Sequence, residues 1–277
     1  MSDVAGVYHS TAVVFGLGQL VASAEVLFLH GSGRVEQYLP WRIVRLRVRS
    51  GSLEEASSRT LVLDALYRPK LVVMVAAARA AASGGTMLVS PFTSYFTACI
   101  AVLTVALLYQ SYRSSMGTEG SDQMFAIIAI ALMLGGNAFA SPFTAKVCLA
   151  FIVLQAVLSY TTSGLAKLIS PIWRSGSALP AVLSTHSHGL PAFGRLLSKH
   201  RSVALLASWF VIVFEASFAL AIVSPNLALL YISAGVMLHV SIAYTMGLNL
   251  FLFAFTATYP AVFWAAESLR LVETLLS

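Results

Sequence analysis

Long apolar runs separated by short polar stretches dominate the chain, at about 11–30, 70–88, 91–112, 123–140, 143–166, 203–223, 227–246 and 248–266. A helix rises about 1.5 Å per residue, so a run of about 20 residues crosses a hydrocarbon core roughly 30 Å thick. The runs are continuously apolar, whereas membrane barrel strands alternate over about ten residues, so the pattern predicts helices. The expected fold is all-α, a polytopic transmembrane helical bundle of about eight spans, with a range of seven to nine. The second run, diluted by Arg79 and small residues, and the short fourth run set that range.

Composition supports a bilayer as solvent. Of the 277 residues, 58% are hydrophobic and only 10% are charged, where a soluble domain carries about 25% charged residues. Mean hydropathy is +0.83. A single transmembrane domain over residues 1–277 is expected, with 1–69 adding an N-terminal helix and a basic loop to a core of about 70–265. The first residues lack a basic stretch and a small-residue cleavage site, so the first run is read as a retained helix. Cys99 and Cys148 both fall in apolar runs, where cysteine packs as a small side chain, and no disulfide framework is expected.

The net charge of +6 is arranged by topology and does not point to nucleic acid. The stretches 31–69 and 167–202, with Lys70 and Arg113, hold 14 of the 17 basic residues. With eight spans all of these lie on one side, which the positive-inside rule makes cytoplasmic, with both termini external. The segment Trp41 to Gly51 alternates basic and apolar residues, a pattern for anionic headgroups or for a solvated topology-setting loop.

Ionisable groups within apolar runs cost a few kcal/mol each at the bilayer centre, so each needs a partner or a use. Glu25 and Arg79 lie in the first two runs, Glu215 in the sixth and His239 in the seventh. Pairing of Arg79 with a carboxylate is the structural alternative to a role in binding. Tyr160-Thr-Thr-Ser-Gly-Leu-Ala-Lys-Leu-Ile-Ser-Pro-Ile-Trp-Arg-Ser-Gly176 closes the fifth run. Its Lys167 reads either as an interfacial lysine with Trp173 in an aromatic belt, or as a general base partly withdrawn from water.

That stretch, followed by Glu215, His239 and Met-Gly-Leu-Asn249-Leu-Phe-Leu-Phe-Ala-Phe-Thr-Ala-Thr-Tyr-Pro260, resembles the HTTM superfamily, which includes the vitamin K-dependent γ-glutamyl carboxylases. The resemblance spans about residues 70–265. It implies that Lys167 is a catalytic base, with His239 and Glu215 at the family's histidine and acidic positions; Tyr160, Trp173, Asn249 and Asn137, and Arg79 as a charge within the second run, are the candidate substrate-binding residues. Two departures weigh against carboxylation of protein glutamate: no large extramembrane C-terminal domain follows the last run, and Ala138 stands after Asn137 where the carboxylases have a second histidine. In size the chain is closer to small bacterial members similar to the SdpB toxin-maturation protein.

Other chemistry finds little footing. There is no Walker A sequence, GxSxG, HExxH or DDxxD-like run, so no metal or nucleotide motif is present and the cofactor stays open. His186 and His188 sit two apart on a loop without an obvious third ligand. Phe251, Phe253, Phe255, Tyr259, Phe263 and Trp264 read as packing or lipid-facing bulk, or as a face for a quinone or carbocation. The leading expectation is an enzyme of the cell membrane acting by acid–base chemistry on a hydrophobic, isoprenoid-like small molecule, by terpenoid cyclisation or quinone chemistry. The alternative is an accessory protein for maturation or export of a small peptide toxin. A transporter ranks last, because inverted repeats and paired broken helices are not evident. Expected partners are membrane lipids and the small-molecule substrate, with a small peptide in the accessory reading and no nucleic acid.

Overall fold

The computed structural model describes residues 4–32, 64–113, 120–185 and 189–276. These are 87% helical and contain no strand, so the fold is an all-α polytopic bundle. The basic segment Trp41 to Gly51 and the pair His186 and His188 lie outside the described residues.

All eight apolar runs are helical. They correspond to α1 (Val4–Gly31), α2 (Pro69–Leu88), α3 (Ser94–Arg113), α4 (Gly120–Gly135) and α5 (Pro142–Ile169) in the first part of the chain. Three short helices follow, α6 (Pro171–Arg174), α7 (Ala178–Leu183) and α8 (Pro191–Lys199). Then come α9 (Arg201–Ala216), a 3-10 segment (Phe218–Ile222), α10 (Pro225–Met246), α11 (Asn249–Thr256) and α12 (Tyr259–Leu276). Proline begins α2, α5, α6, α8 and α10, where its missing N–H costs no helical hydrogen bond. Ser141 and Ser224 cap α5 and α10 by accepting the amides of Thr144 and Leu227.

The span count is lower than eight by strict length. Six helices among the described residues are long and apolar enough to cross a membrane, and a seventh if α8 and α9, bent by 109° at His200, count as one. The second run, the weakest in the sequence, is a full 20-residue helix. The fourth yields only 16 residues, about 24 Å at roughly 1.5 Å per residue. The sixth is shortened because α9 stops at Ala216 and tightens into the 3-10 segment, whereas the last, though interrupted between Thr256 and Tyr259, still counts as one span over Asn249–Arg270.

Neighbouring helices are antiparallel. Arg79 meets Gln19 across α1 and α2 and Gln110 across α2 and α3. The Phe92 amide donates to the Gly136 carbonyl at 2.8 Å, and Tyr8 donates to the Ala145 carbonyl at 2.8 Å. The ends at Val89, Gly136 and Ser141 therefore lie together, and Gly31, Pro69 and Ile169 lie at the opposite end. The main core joins α1, α3, α4 and α5 around Phe15, Phe96, Phe125, Ile128 and Ile152. A second cluster links α5, α9, α10 and α12 around Tyr160, Phe214, Phe218 and Tyr259, and Val157, Ile222 and Phe255 pack against both. The short helices have a small core of their own, Leu183, Leu197 and Ala204.

Arg79 is 3% exposed and binds three helices together. Its Nε donates to Gln19 Oε1 at 2.9 Å and its Nη1 donates to Gln110 Oε1. The partners are neutral amides rather than the carboxylate of the structural alternative. Arg79→Met leaves the buried Gln19 oxygen unpaired, at about 1–3 kcal/mol, and the half-buried Gln110 oxygen at less. Thermal unfolding of the detergent-solubilised protein is expected to show a lowered midpoint, partly restored when Gln19 and Gln110 are also changed to Leu. An unchanged midpoint in the single variant rules out this three-helix lock.

Candidate functional site

The site is built on one face of α5. Tyr160, Gly164 and Lys167 are spaced by four and three residues, so they lie above one another along a single stripe. Gly164 faces the C-terminal end of α9 so closely that a Cβ there would sit 2.1 Å from the Ala216 amide nitrogen. Only a residue without a side chain allows that approach. It brings Glu215, the residue before Ala216, to Lys167.

Lys167 Nζ donates to Glu215 Oε2 at 2.5 Å and to Ser163 Oγ at 2.6 Å, one turn earlier on α5. The side chains are 17% and 11% exposed. Beyond the end of α5, the chain turns at Ser170 into α6 and carries Trp173 back under the ammonium, 5.2 Å from the ring centroid. A cation at that distance is attracted by the negative face of the indole. Gly176 then adopts φ +76 with its Cα against the Leu205 backbone, which seats the α6 turn on α9. Lys167 is thus held by a carboxylate, a hydroxyl and an aromatic face, which exceeds what a snorkelling lysine requires.

Two turns deeper on α5, the Tyr160 hydroxyl lies 2.6 Å from His239 Nε2 and 2.8 Å from the Tyr259 hydroxyl. All three side chains are buried. The Tyr160 ring stacks on Phe218 at 4.1 Å and meets Phe214 and Phe255 at 5.5 and 5.2 Å, while His239 stacks on Phe255 at 4.9 Å. Two phenols and an imidazole in a row form a chain along which protons can shift by rotation of hydroxyls and change of histidine tautomer. His239 Nδ1 is buried with no hydrogen-bond partner among the described residues. The Tyr160 ring meets Phe214, the residue before Glu215, so the ion pair and the phenol chain lie along the same contact between α5 and α9.

The structure therefore brings together Lys167, Glu215, His239, Tyr160 and Trp173, and holds three other candidates apart. Arg79 sits in the α1–α3 lock. Asn249 opens α11 and donates to Glu25 at 3.4 Å. Asn137 closes its own turn, donating to the Met133 and Leu134 carbonyls and accepting the Phe139 amide. Tyr259 is the member that sequence reasoning left among bulk aromatics. The signal available was its place beside Pro260 at the break between α11 and α12, where a hydroxyl inside an apolar run needs a partner. Tyr259 also lines a groove of about 560 Å³ between α1, α10 and α12.

No family model, curated protein or solved structure matches this chain.

If Lys167 and Glu215 depend on one another, removing either leaves a charge stranded in an apolar bundle, at a cost on the order of 3 kcal/mol. Lys167→Met and Glu215→Leu are each expected to lower the thermal midpoint in detergent, and the double variant to lose much less than their sum. Strict additivity shows that the two groups do not interact in the folded protein.

Proposed function

We propose that the protein is an enzyme of the cell membrane that uses the Lys167–Glu215 pair for acid–base chemistry on a hydrophobic, isoprenoid-like small molecule. The observation that carries this reading is the 2.5 Å contact between the Lys167 amine and the Glu215 carboxylate, set against a buried chain of Tyr160, His239 and Tyr259. The order of these groups along the sequence is also the order in the HTTM superfamily that the chain resembles.

An ion pair in an apolar interior loses much of its solvation, which narrows the difference between it and the neutral amine and carboxylic acid. At 2.5 Å, one proton moving from Nζ to Oε2 interconverts the two forms. The neutral form presents a free amine, able to take a proton from a hydroquinone hydroxyl or from carbon. It also presents a carboxylic acid, able to give a proton to an alkene or epoxide. In the second case protonation makes a carbocation, a neighbouring double bond closes on it to form a ring, and loss of a proton from the adjacent carbon to the Glu215 carboxylate restores the starting state. The rings of Phe214, Phe218 and Phe255 around Tyr160 offer π faces to a developing cation. Tyr160, on the same face of α5 as Lys167, holds His239 and Tyr259 in a hydrogen-bonded row able to orient a substrate hydroxyl.

The test is a comparison of lipid and small-molecule extracts, by mass spectrometry, from cells producing the wild-type protein and Lys167→Ala. Loss of a product and accumulation of its precursor in the variant are expected, with the variant inserted and folded as judged by its detergent elution profile. Identical extracts, with wild-type protein abundant in the membrane, overturn the catalytic reading and leave the accessory one.

A further inference from the structure

The end of the bundle that carries the short helices holds a second feature, independent of the acid–base centre. An apolar groove of about 820 Å³ opens between α7, α8, α9 and α10, within the range of roughly 300–1,000 Å³ typical of small-molecule sites. Its walls include Val182, Phe193 and Leu196 from the short helices, Val203 and Phe210 from α9, and Met237 from α10. Leu197 lines this groove and also a smaller polar cavity of about 510 Å³, so the two are adjacent. The polar cavity is lined by Ser175, Ser177, Ser184, Ser198 and Arg201.

Charge and hydrogen bonding in the polar cavity select an occupant. From Gln123 to Phe214 the chain contains no acidic residue, while Arg174, Arg195, Lys199 and Arg201 cluster on the segment that builds this end. Arg201 is exposed and has no ion pair among the described residues. The serine hydroxyls already spend their protons: Ser175 on the Ile172 carbonyl, Ser184 on the Pro180 carbonyl and Ser198 on the Gly194 carbonyl. Ser177 lies 3.0 Å from Ser175 Oγ, whose own proton is committed, so Ser177 is the donor in that pair. What the four oxygens retain is acceptor capacity. A headgroup that suits the cavity thus has a negative charge for Arg201 and hydroxyl donors for the serines. A phosphocholine headgroup has the phosphate but adds a fixed cation beside the basic cluster and has no hydroxyl to donate to the serines.

The 109° bend between α8 and α9 turns α8 across the bundle, with Phe193, Leu196 and Leu197 at the groove and the polar cavity, and with Arg195 and Lys199 exposed. Such a helix suits the boundary between headgroups and hydrocarbon, where one ligand extends a chain into an apolar groove and a headgroup into a basic pocket. We infer that this is a binding site for an anionic phospholipid with a hydroxylated headgroup of the phosphatidylglycerol type, with an acyl chain in the groove and the phosphate at Arg201.

The experiment is native mass spectrometry of the full-length protein, purified in mild detergent and mixed with equal amounts of phosphatidylglycerol and phosphatidylcholine of identical chains. The wild type is expected to retain phosphatidylglycerol preferentially. Arg201→Gln is expected to reduce that preference about fivefold, the share of one basic residue near a headgroup. Ala207→Trp, which fills the groove from α9, is expected to lose phosphatidylglycerol retention while eluting as the wild type does. Glycerol phosphate added in excess is expected not to displace the lipid. Equal retention of the two lipids, an unchanged preference in Arg201→Gln, unchanged retention in Ala207→Trp or displacement by glycerol phosphate each overturns the assignment.

Discussion

The arrangement depends on how closely α5 and α9 approach at Gly164. A side chain at that position would collide with the backbone of Ala216, and the separation it imposed would carry Glu215 away from Lys167. A lysine and a glutamate stranded apart in an apolar interior are each more costly than the pair, so helix contact and ion pair stabilise one another. Gly176 repeats the device further along, where the turn carrying Trp173 lies against the Leu205 backbone. The residues between these fixed points, such as Leu165 and Leu168, are exposed and ask only to be apolar.

Two polar clusters share the bundle and differ in kind. Around Arg79 a permanent cation is bonded to neutral amides of Gln19 and Gln110, and neither the guanidinium nor the amides exchange protons readily. That cluster holds helices together. Around Lys167 every member can change protonation or orientation: amine, carboxylate, phenols and imidazole. Both clusters answer the same need, to satisfy polar groups away from water, but only the second has protons to move.

Much of the fold was legible because apolar length is a direct record of the bilayer, and all eight runs became helices. Where the reading differed, local hydrogen bonding decided. The run over 203–223 ends as α9 plus a 3-10 segment, with Ser217 bonded to Val213 and Tyr231 rather than continuing the helix. The polar connection after Ile169 contains α6, α7 and α8, each too short for a periodic signal; α6 is held by Trp173 under Lys167 and by the Gly176 turn on α9, and α7 and α8 share a small core at Leu183, Leu197 and Ala204. In the site, Glu215 and His239 stood out because an ionisable group in an apolar run demands a partner, Lys167 because it closes the fifth run, and Tyr160 through the motif that resembles the HTTM superfamily. Tyr259 did not, because a tyrosine among phenylalanines reads as bulk. Asn137 shows the converse: its amide satisfies a turn, a purely local use that composition cannot tell from binding.

The length of α5 has a consequence of its own. Its 28 residues extend about 42 Å, some 12 Å more than a hydrocarbon core of roughly 30 Å. The excess must be absorbed by tilt or by projection of the helix end, and Lys167 lies within the last turn. The depth of the ion pair is therefore set by the host membrane as well as by the protein. In longer-chained lipids the pair is drawn toward hydrocarbon, and in shorter-chained lipids it emerges among hydrated headgroups. Bilayer thickness thereby becomes a control on how much water reaches the pair.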